Sequence, residues 1–250
     1  MSLNGLWQFD FSALGLSPLD LAALAWFLIC TVAYNLVTSA RGLWKVSLVG
    51  AIQSHRMKWM SHMVHRHDRV IDVLLISSLA SGNSFFASTS IVIIGALSAL
   101  LGSGARAQAI LDRLPYTAQN ISVTWDLKVL LMMTIFIYAF FKFAWAFRLA
   151  HYAMIMMGAT PPPATAPEGV RENYAARAGR VAGIAAEHGN LGLRSYYFAM
   201  AAIGWFIHPL LFIITTTLVV LIVTRREYFS RTLNILSDHP TRTISTLPRI

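Results

Sequence analysis

Seven apolar residues, one lysine and one arginine make up "FFKFAWAFR", residues 140–148, inside a run long enough to cross a bilayer. An ionisable side chain at membrane depth costs at least ~2.5–3.5 kcal/mol to insert. Lys142 and Arg148 are therefore candidates for an anion-attracting site, for pairing with a buried acid such as Asp72 or Glu227, or for anchoring at the interface. The surrounding Phe140, Phe141, Phe143, Trp145 and Phe147 suit an anchor, since a lysine stem snorkels toward water and its ammonium meets aromatic faces. His208, which precedes Pro209 in "WFIHPLLF", is either a satisfied histidine at a proline kink or a proton-relay group. His62, His65 and His67 offer imidazoles to a metal. No carboxylate or thiolate set stands at matching spacing, so no metal and no cofactor is assigned.

Enzyme signatures are missing. The chain has no G-x-S-x-G, P-loop, H-E-x-x-H or dinucleotide fingerprint. "GSGARAQ", residues 102–108, is like a phosphate loop in composition only, because it follows a membrane helix rather than a strand. The single cysteine, Cys30, excludes an intramolecular disulfide and a thiolate cluster. A non-catalytic protein is the expectation.

The elements that must carry these residues are read from composition. Of 250 residues 56% are hydrophobic and 12% charged, and the mean hydropathy is +0.57. Soluble domains carry about 25% charged residues, so this is an integral membrane protein. A helical crossing needs about 20 mostly apolar residues, a length met at about 19–39, 70–101, 127–157 and 196–223. The fold expected is an all-α polytopic bundle with about four transmembrane segments, forming one domain over 1–250. Two-residue alternation is absent, which argues against a β-barrel.

No lysine or arginine precedes Arg41, so the amino terminus lacks the positive region of a signal peptide and the first segment is expected to be retained. The loop 41–69 carries Arg41, Lys45, Arg56, Lys58, Arg66 and Arg69 against Asp68 alone, which places it in the cytoplasm and the amino terminus outside. The expected location is a cell membrane, the bacterial inner membrane. The net charge of +9 sits beside membrane segments without any nucleic-acid motif, so its expected partners are anionic headgroups and not nucleic acid. Arg56, Lys58, Arg66 and Arg69 are the lipid-facing candidates. Within this loop His55, Lys58, His62, His65 and Arg69 share one helical face and Met57, Met60 and Val64 the other, the pattern of a helix lying in the interface.

Four plain crossings would leave the polar tail, 225–250, outside despite Arg225, Arg226, Arg231, Arg242 and Arg249. The charge rule is broken there unless the second segment breaks at Ser81–Ser84 and returns to its starting side. Between the third and fourth segments, the loop 158–195 holds the proline-rich "ATPPPATAPEG" and then a short surface helix ended by Gly189 and Asn190. On the second segment Ser77, Ser81, Ser84, Ser88 and Gly95 fall within about 100° of one another. Such a stripe either packs closely against another helix or lines a path for a solute.

Several motifs taken in order, "RMKWM", "HDRVIDVLLISSL", "SFFASTSIVIIGAL", "DLKVLL", "YAFFKFAWAFR", "LGLRSYYFAMAAIGWF" and "TRREYFS", resemble the membrane family catalogued as domain of unknown function 599. The resemblance covers about residues 56–231 and implies a multi-span membrane protein with no established reaction. It singles out Arg56, Trp59, Asp68, Arg69, Asp72, Phe85, Phe86, Lys128, Lys142, Arg148, Arg194, Arg226 and Glu227. It supplies no catalytic residue. Two expectations follow: a structural or accessory component that binds other membrane proteins or its own copies, and, as the alternative, a channel or transporter for a small ion, an anion first.

Overall fold

A computed structural model describes residues 16–39, 46–103, 106 and 121–237. The helices are α1 (Pro18–Ser39), α2 (Leu48–Met63), α3 (Val70–Leu100), α4 (Ile121–Gly158), α5 (Glu168–Ile207), α6 (Pro209–Tyr228) and the short α7 (Arg231–Leu236), with no strand among the described residues. Four of them, α1, α3, α4 and α6, are long and apolar enough to cross a membrane. The all-α membrane bundle is therefore the fold. Local chemistry sets its ends. Ser17 and Asp20 exchange backbone-to-side-chain bonds of 3.1 and 3.2 Å across the start of α1, with Pro18 at the first helical position. Past α3, Gly102 adopts φ +75° and donates its N–H to Asp126 Oδ1 at 3.0 Å, which ties α3 to α4.

One open alternative about the elements is closed and two expectations are corrected. First, α3 runs unbroken through Ser81–Ser84, where Ser81 Oγ and Asn83 Nδ2 donate to the carbonyls of Ser77 and Leu79, so the second segment does not re-enter. Second, α5 continues through Gly189 and Asn190 for 40 residues, so only 159–167 of the 158–195 loop is non-helical. Gly189 sits in the helix because a Cβ there would lie 2.7 Å from Asn83 Oδ1; the glycine is a close approach, not a stop.

Third, the apolar stretch 196–223 is not one crossing. His208 is extended (φ −157°, ψ 141°) and Pro209 opens a new helix that runs back along α5. The pairs across the two helices prove the reversal: Trp205 stacks on Phe212 at 5.3 Å, Thr215 Oγ1 donates to the Ala201 carbonyl at 2.8 Å, Arg226 donates to Tyr197 Oη at 2.7 Å, and Arg194 meets Glu227 at 3.9 Å. Partners lie further apart in sequence the further they are from His208, the signature of an antiparallel hairpin. A proline that only kinked the helix would leave these pairs far apart.

The core has two parts. An aromatic one, with Phe27, Phe136, Phe198, Trp205 and Phe212, fills the space between α1, α4, α5 and α6. A second, rich in alanine, lies where α4 and α5 extend beyond it: Ala153, Ala178 and Ala182 pack under Met60, Met63 and Val64 at the end of α2. The apolar face of α2 thus meets protein, not lipid as its sequence pattern suggests, because the small side chains of α5 offer it a flat seat. Met57 lies against Gly179, where a Cβ would come within 2.8 Å of its sulfur.

Candidate functional site: a charged collar

The hairpin brings the end of α6 to the end of the bundle where α1 finishes and α2 begins. The Val49 N–H, in the first turn of α2, donates to Glu227 Oε1 at 3.4 Å, a carboxylate at a helix amino terminus. Arg194, nearly buried like Glu227, donates to Thr38 Oγ1 at 2.9 Å and covers the Tyr34 ring at 5.2 Å. Four helices are held by one ion pair.

Lys142 lies at the same height. Its neighbour Phe143 presses on Gly192, where a Cβ would come within 2.7 Å of the ring, and Gly192 precedes Arg194 by half a turn. The lysine therefore stands level with the ends of α1 and α6. It faces the Tyr138 ring at 5.1 Å and has no acid of the described residues within 4 Å, while Arg148 is exposed and donates to Tyr152 Oη at 3.3 Å. Both cations line one outer cleft with Trp145 and His188. Lys142 and Arg148 thus partner tyrosines, Tyr138 and Tyr152, at this cleft.

Asp72 is fully buried and serves other partners than Lys142: it accepts from Trp59 Nε1 at 2.6 Å and from Arg66. Arg69 reaches the carbonyls of Thr160 and Pro161, capping the end of α4, and buried Arg171 donates to the Val64 carbonyl at 3.1 Å, past the end of α2. Arg66 and Arg69, assigned to lipid by the charge pattern, are thus fastened to protein. Of that set Lys58 is exposed, and Arg56 turns inward. His55 Nε2 donates to the Leu236 carbonyl, 2.8 Å away, and His65 stands 3.8 Å from Glu168; His62, His65 and His67 are exposed and do not converge with acids into a metal site among the described residues. Arg41 and Lys45 lie outside the described residues.

At the opposite end Asp20 accepts from Trp205 Nε1 at 2.7 Å, and Lys128, 6% exposed, covers the same indole at 5.5 Å. His208 is here too, its Nδ1 accepting from the Leu210 N–H at 3.2 Å. It caps α6 at the hairpin tip and is not a relay inside a span.

The serine stripe of α3 faces largely outward from the described helices. Ser81, Ser88 and Gly95 are exposed, Ser77 and Ser84 half-buried, and a Cβ on Gly95 would meet nothing within 4 Å. The buried face of α3 is instead Asp72, Ile76, Ala80, Ala87, Ser90 and Leu97. Residues that sequence reasoning passed over are Asp20 and Arg171; the Ser17–Asp20 spacing was a visible sign of the first and nothing in the sequence marked the second, while Asn190 reads in the sequence as a helix stop.

No curated protein and no solved structure matches this chain. A family model does, over residues 22–232, which takes in α1 as well as the motifs from α2 to α6. The chain belongs to the family described as "Protein of unknown function, DUF599".

Proposed function

We propose that the protein is a non-catalytic structural component of a cell membrane, the bacterial inner membrane, with the charged collar on the cytoplasmic side, and that it assembles with copies of itself through the outward stripe of α3. That stripe carries the reading. Ser81, Ser88, Gly95 and Ala99 are all exposed and stand in one line along the helix. Small residues at such spacing let two helices approach closely in lipid, where packing rather than the hydrophobic effect drives association. A glycine-floored line is self-complementary, which suits a symmetric pair of identical surfaces.

A conduction path inside one chain has less support, because Phe27, Phe136, Phe198, Trp205 and Phe212 fill the space between the two charged ends. An anion path between copies also fits poorly. Ser81 and Ser98 on α3 donate their protons to backbone carbonyls, which leaves lone pairs outward.

Gly95→Leu and Ser88→Leu test the reading. Both should leave helix content unchanged and convert an oligomer to a monomer in light scattering after size exclusion. An unchanged oligomer in both variants overturns self-assembly through α3; a wild-type monomer that is recovered with another membrane protein lost from both variants transfers the stripe to that partner. Chloride flux in liposomes that survives in neither variant while the oligomer persists would favour the channel.

A further inference from the structure

Between α2 and α3, floored by α4 and α5, is a cavity of about 360 Å³, within the ~300–1,000 Å³ range of ligand sites. It lies on a different side of α3 from the serine stripe. Small residues make the room: Ala182, Ala185, Ala186 and Gly189 of α5 face it, and Gly82 of α3 opens onto it with nothing within 4 Å of its missing Cβ. Its walls are graded. Phe86, Phe143 and Leu193 line the part toward the bilayer core, where Phe86 stacks on Phe143 at 5.2 Å. Arg56, Asn83 and Asn190 are the polar side chains of its wall.

Arg56 is the unusual member. It is half-buried, and among the described residues its only hydrogen bond is to Gln53 Oε1 and no acid lies within 4 Å. Burial pushes its guanidinium below the usual arginine value. Gln53 is itself fixed, its Nε2 donating to the Gly179 carbonyl at 3.2 Å, so the guanidinium is held in place with donors to spare. Asn190 makes no hydrogen bond among the described residues, and its carboxamide adds further donors. A buried cation without an anion is costly, and a planar fork of N–H groups matches phosphate or carboxylate oxygens two at a time.

We infer that this cavity binds an amphiphile with a phosphate-type anionic head at Arg56 and Asn190 and an apolar chain along Phe86 and Leu193, admitted sideways between α2 and α3. The height agrees. Phe143 and Gly192 mark the level of the collar, so the polar part lies where phospholipid headgroups lie and the apolar part points toward their chains. Asn83 Nδ2 is tied to the Leu79 carbonyl, so that side chain shapes the wall and does not take the head. The Lys142–Arg148 cleft differs in kind: its cations lie on an open surface among aromatic rings and enclose nothing.

Thermal unfolding of the purified full chain in neutral detergent tests the inference. Dioleoyl phosphatidylglycerol should raise the midpoint, phosphatidylcholine with the same chains should raise it far less, and inorganic phosphate should leave it in place. Arg56→Gln should weaken the apparent affinity for phosphatidylglycerol at least tenfold, and Ala186→Leu, which fills the cavity without touching charge, should do the same. Arg225→Gln, an exposed cation of the same end, should keep the wild-type response. Equal responses from Arg56→Gln and wild type overturn the site, as does a phosphatidylcholine shift equal to that of phosphatidylglycerol. A shift from inorganic phosphate equal to that from the lipid overturns the amphiphile in favour of a free anion. If Arg56→Gln does not purify as a folded protein, a retained lipid response in Ala186→Leu overturns the site alone.

Discussion

Asp72 and Lys142 are charges whose removal should have unequal consequences. Asp72 is fully buried and satisfies the Trp59 indole, so Asp72→Ala leaves a donor stranded and is expected to destabilise by about 1–3 kcal/mol. The Arg66 partner is 46% exposed and rehydrates on its own, so little of that cost is the ion pair. Lys142 loses only an aromatic face, and Lys142→Leu is expected to cost less than ~1 kcal/mol. The two changes touch no common partner and should add. Denaturation in detergent of both single variants and the double variant measures this; a loss of 3 kcal/mol or more in Lys142→Leu would restore the buried pair. The sequence showed which residues were anomalous, because charge in an apolar run is visible at once. It did not show their partners, because projection on a helix gives an angle and no depth: Asp72 and Lys142 looked available to each other until α2 and the turn after it placed Trp59 and Arg66 over the acid.

Glycines divide the elements into those that touch and those that wait. A Cβ on Gly192 would lie 2.7–2.8 Å from three atoms of the Phe143 ring, and that ring cannot retreat because Phe86 stacks on it at 5.2 Å and Tyr196 meets it edge-on at 5.7 Å. Gly192→Ala should therefore destabilise by about 1–3 kcal/mol through overpacking. In the dissociated single chain Gly95→Ala should be neutral or stabilising by up to ~1 kcal/mol, since the helix gains a better former and no atom of the same chain is displaced. Thermal unfolding of the two variants side by side checks both signs. The long apolar helices were legible because hydrophobic length is a property of one segment. Gly189–Asn190 misled because the same dipeptide serves as a helix stop in water and as a close-packing step between helices. His208–Pro209 was misread likewise: proline fixes a break in the ladder, and only the partners Tyr197–Arg226 and Arg194–Glu227 decide that the chain reverses.

The hairpin at His208 also settles how charge is distributed over the whole molecule. With α5 and α6 antiparallel, the end of α6 returns to the end of the bundle that holds α2, so Arg225, Arg226 and Arg231 join Arg56, Lys58 and Arg66 at one end. The conflict with the positive-inside rule disappears without any re-entrant segment. The apolar part of α5, packed antiparallel to α6, is expected to be an additional crossing. It escapes a search by hydropathy because α5 is polar over its first half and carries Arg194 where the apolar part begins, although Phe198, Ala199, Ala202 and Trp205 are buried beyond it. Parity then assigns sides: Lys58 on α2 and Ile235 on α7 share an end, while Arg106, beyond α3, stands at the other. Single cysteines at Lys58, Ile235 and Arg106 in a Cys30→Ser background put this to the test in intact cells with a membrane-impermeant maleimide. The Arg106 cysteine should label from outside, and those at Lys58 and Ile235 only after the membrane is opened. Labelling of Ile235 from outside together with Arg106 would remove the extra crossing and return the tail to the far side. Labelling of Lys58 from outside, with Arg106 protected, would keep the hairpin and invert the molecule, because the collar's basic charge would then face away from the cytoplasm.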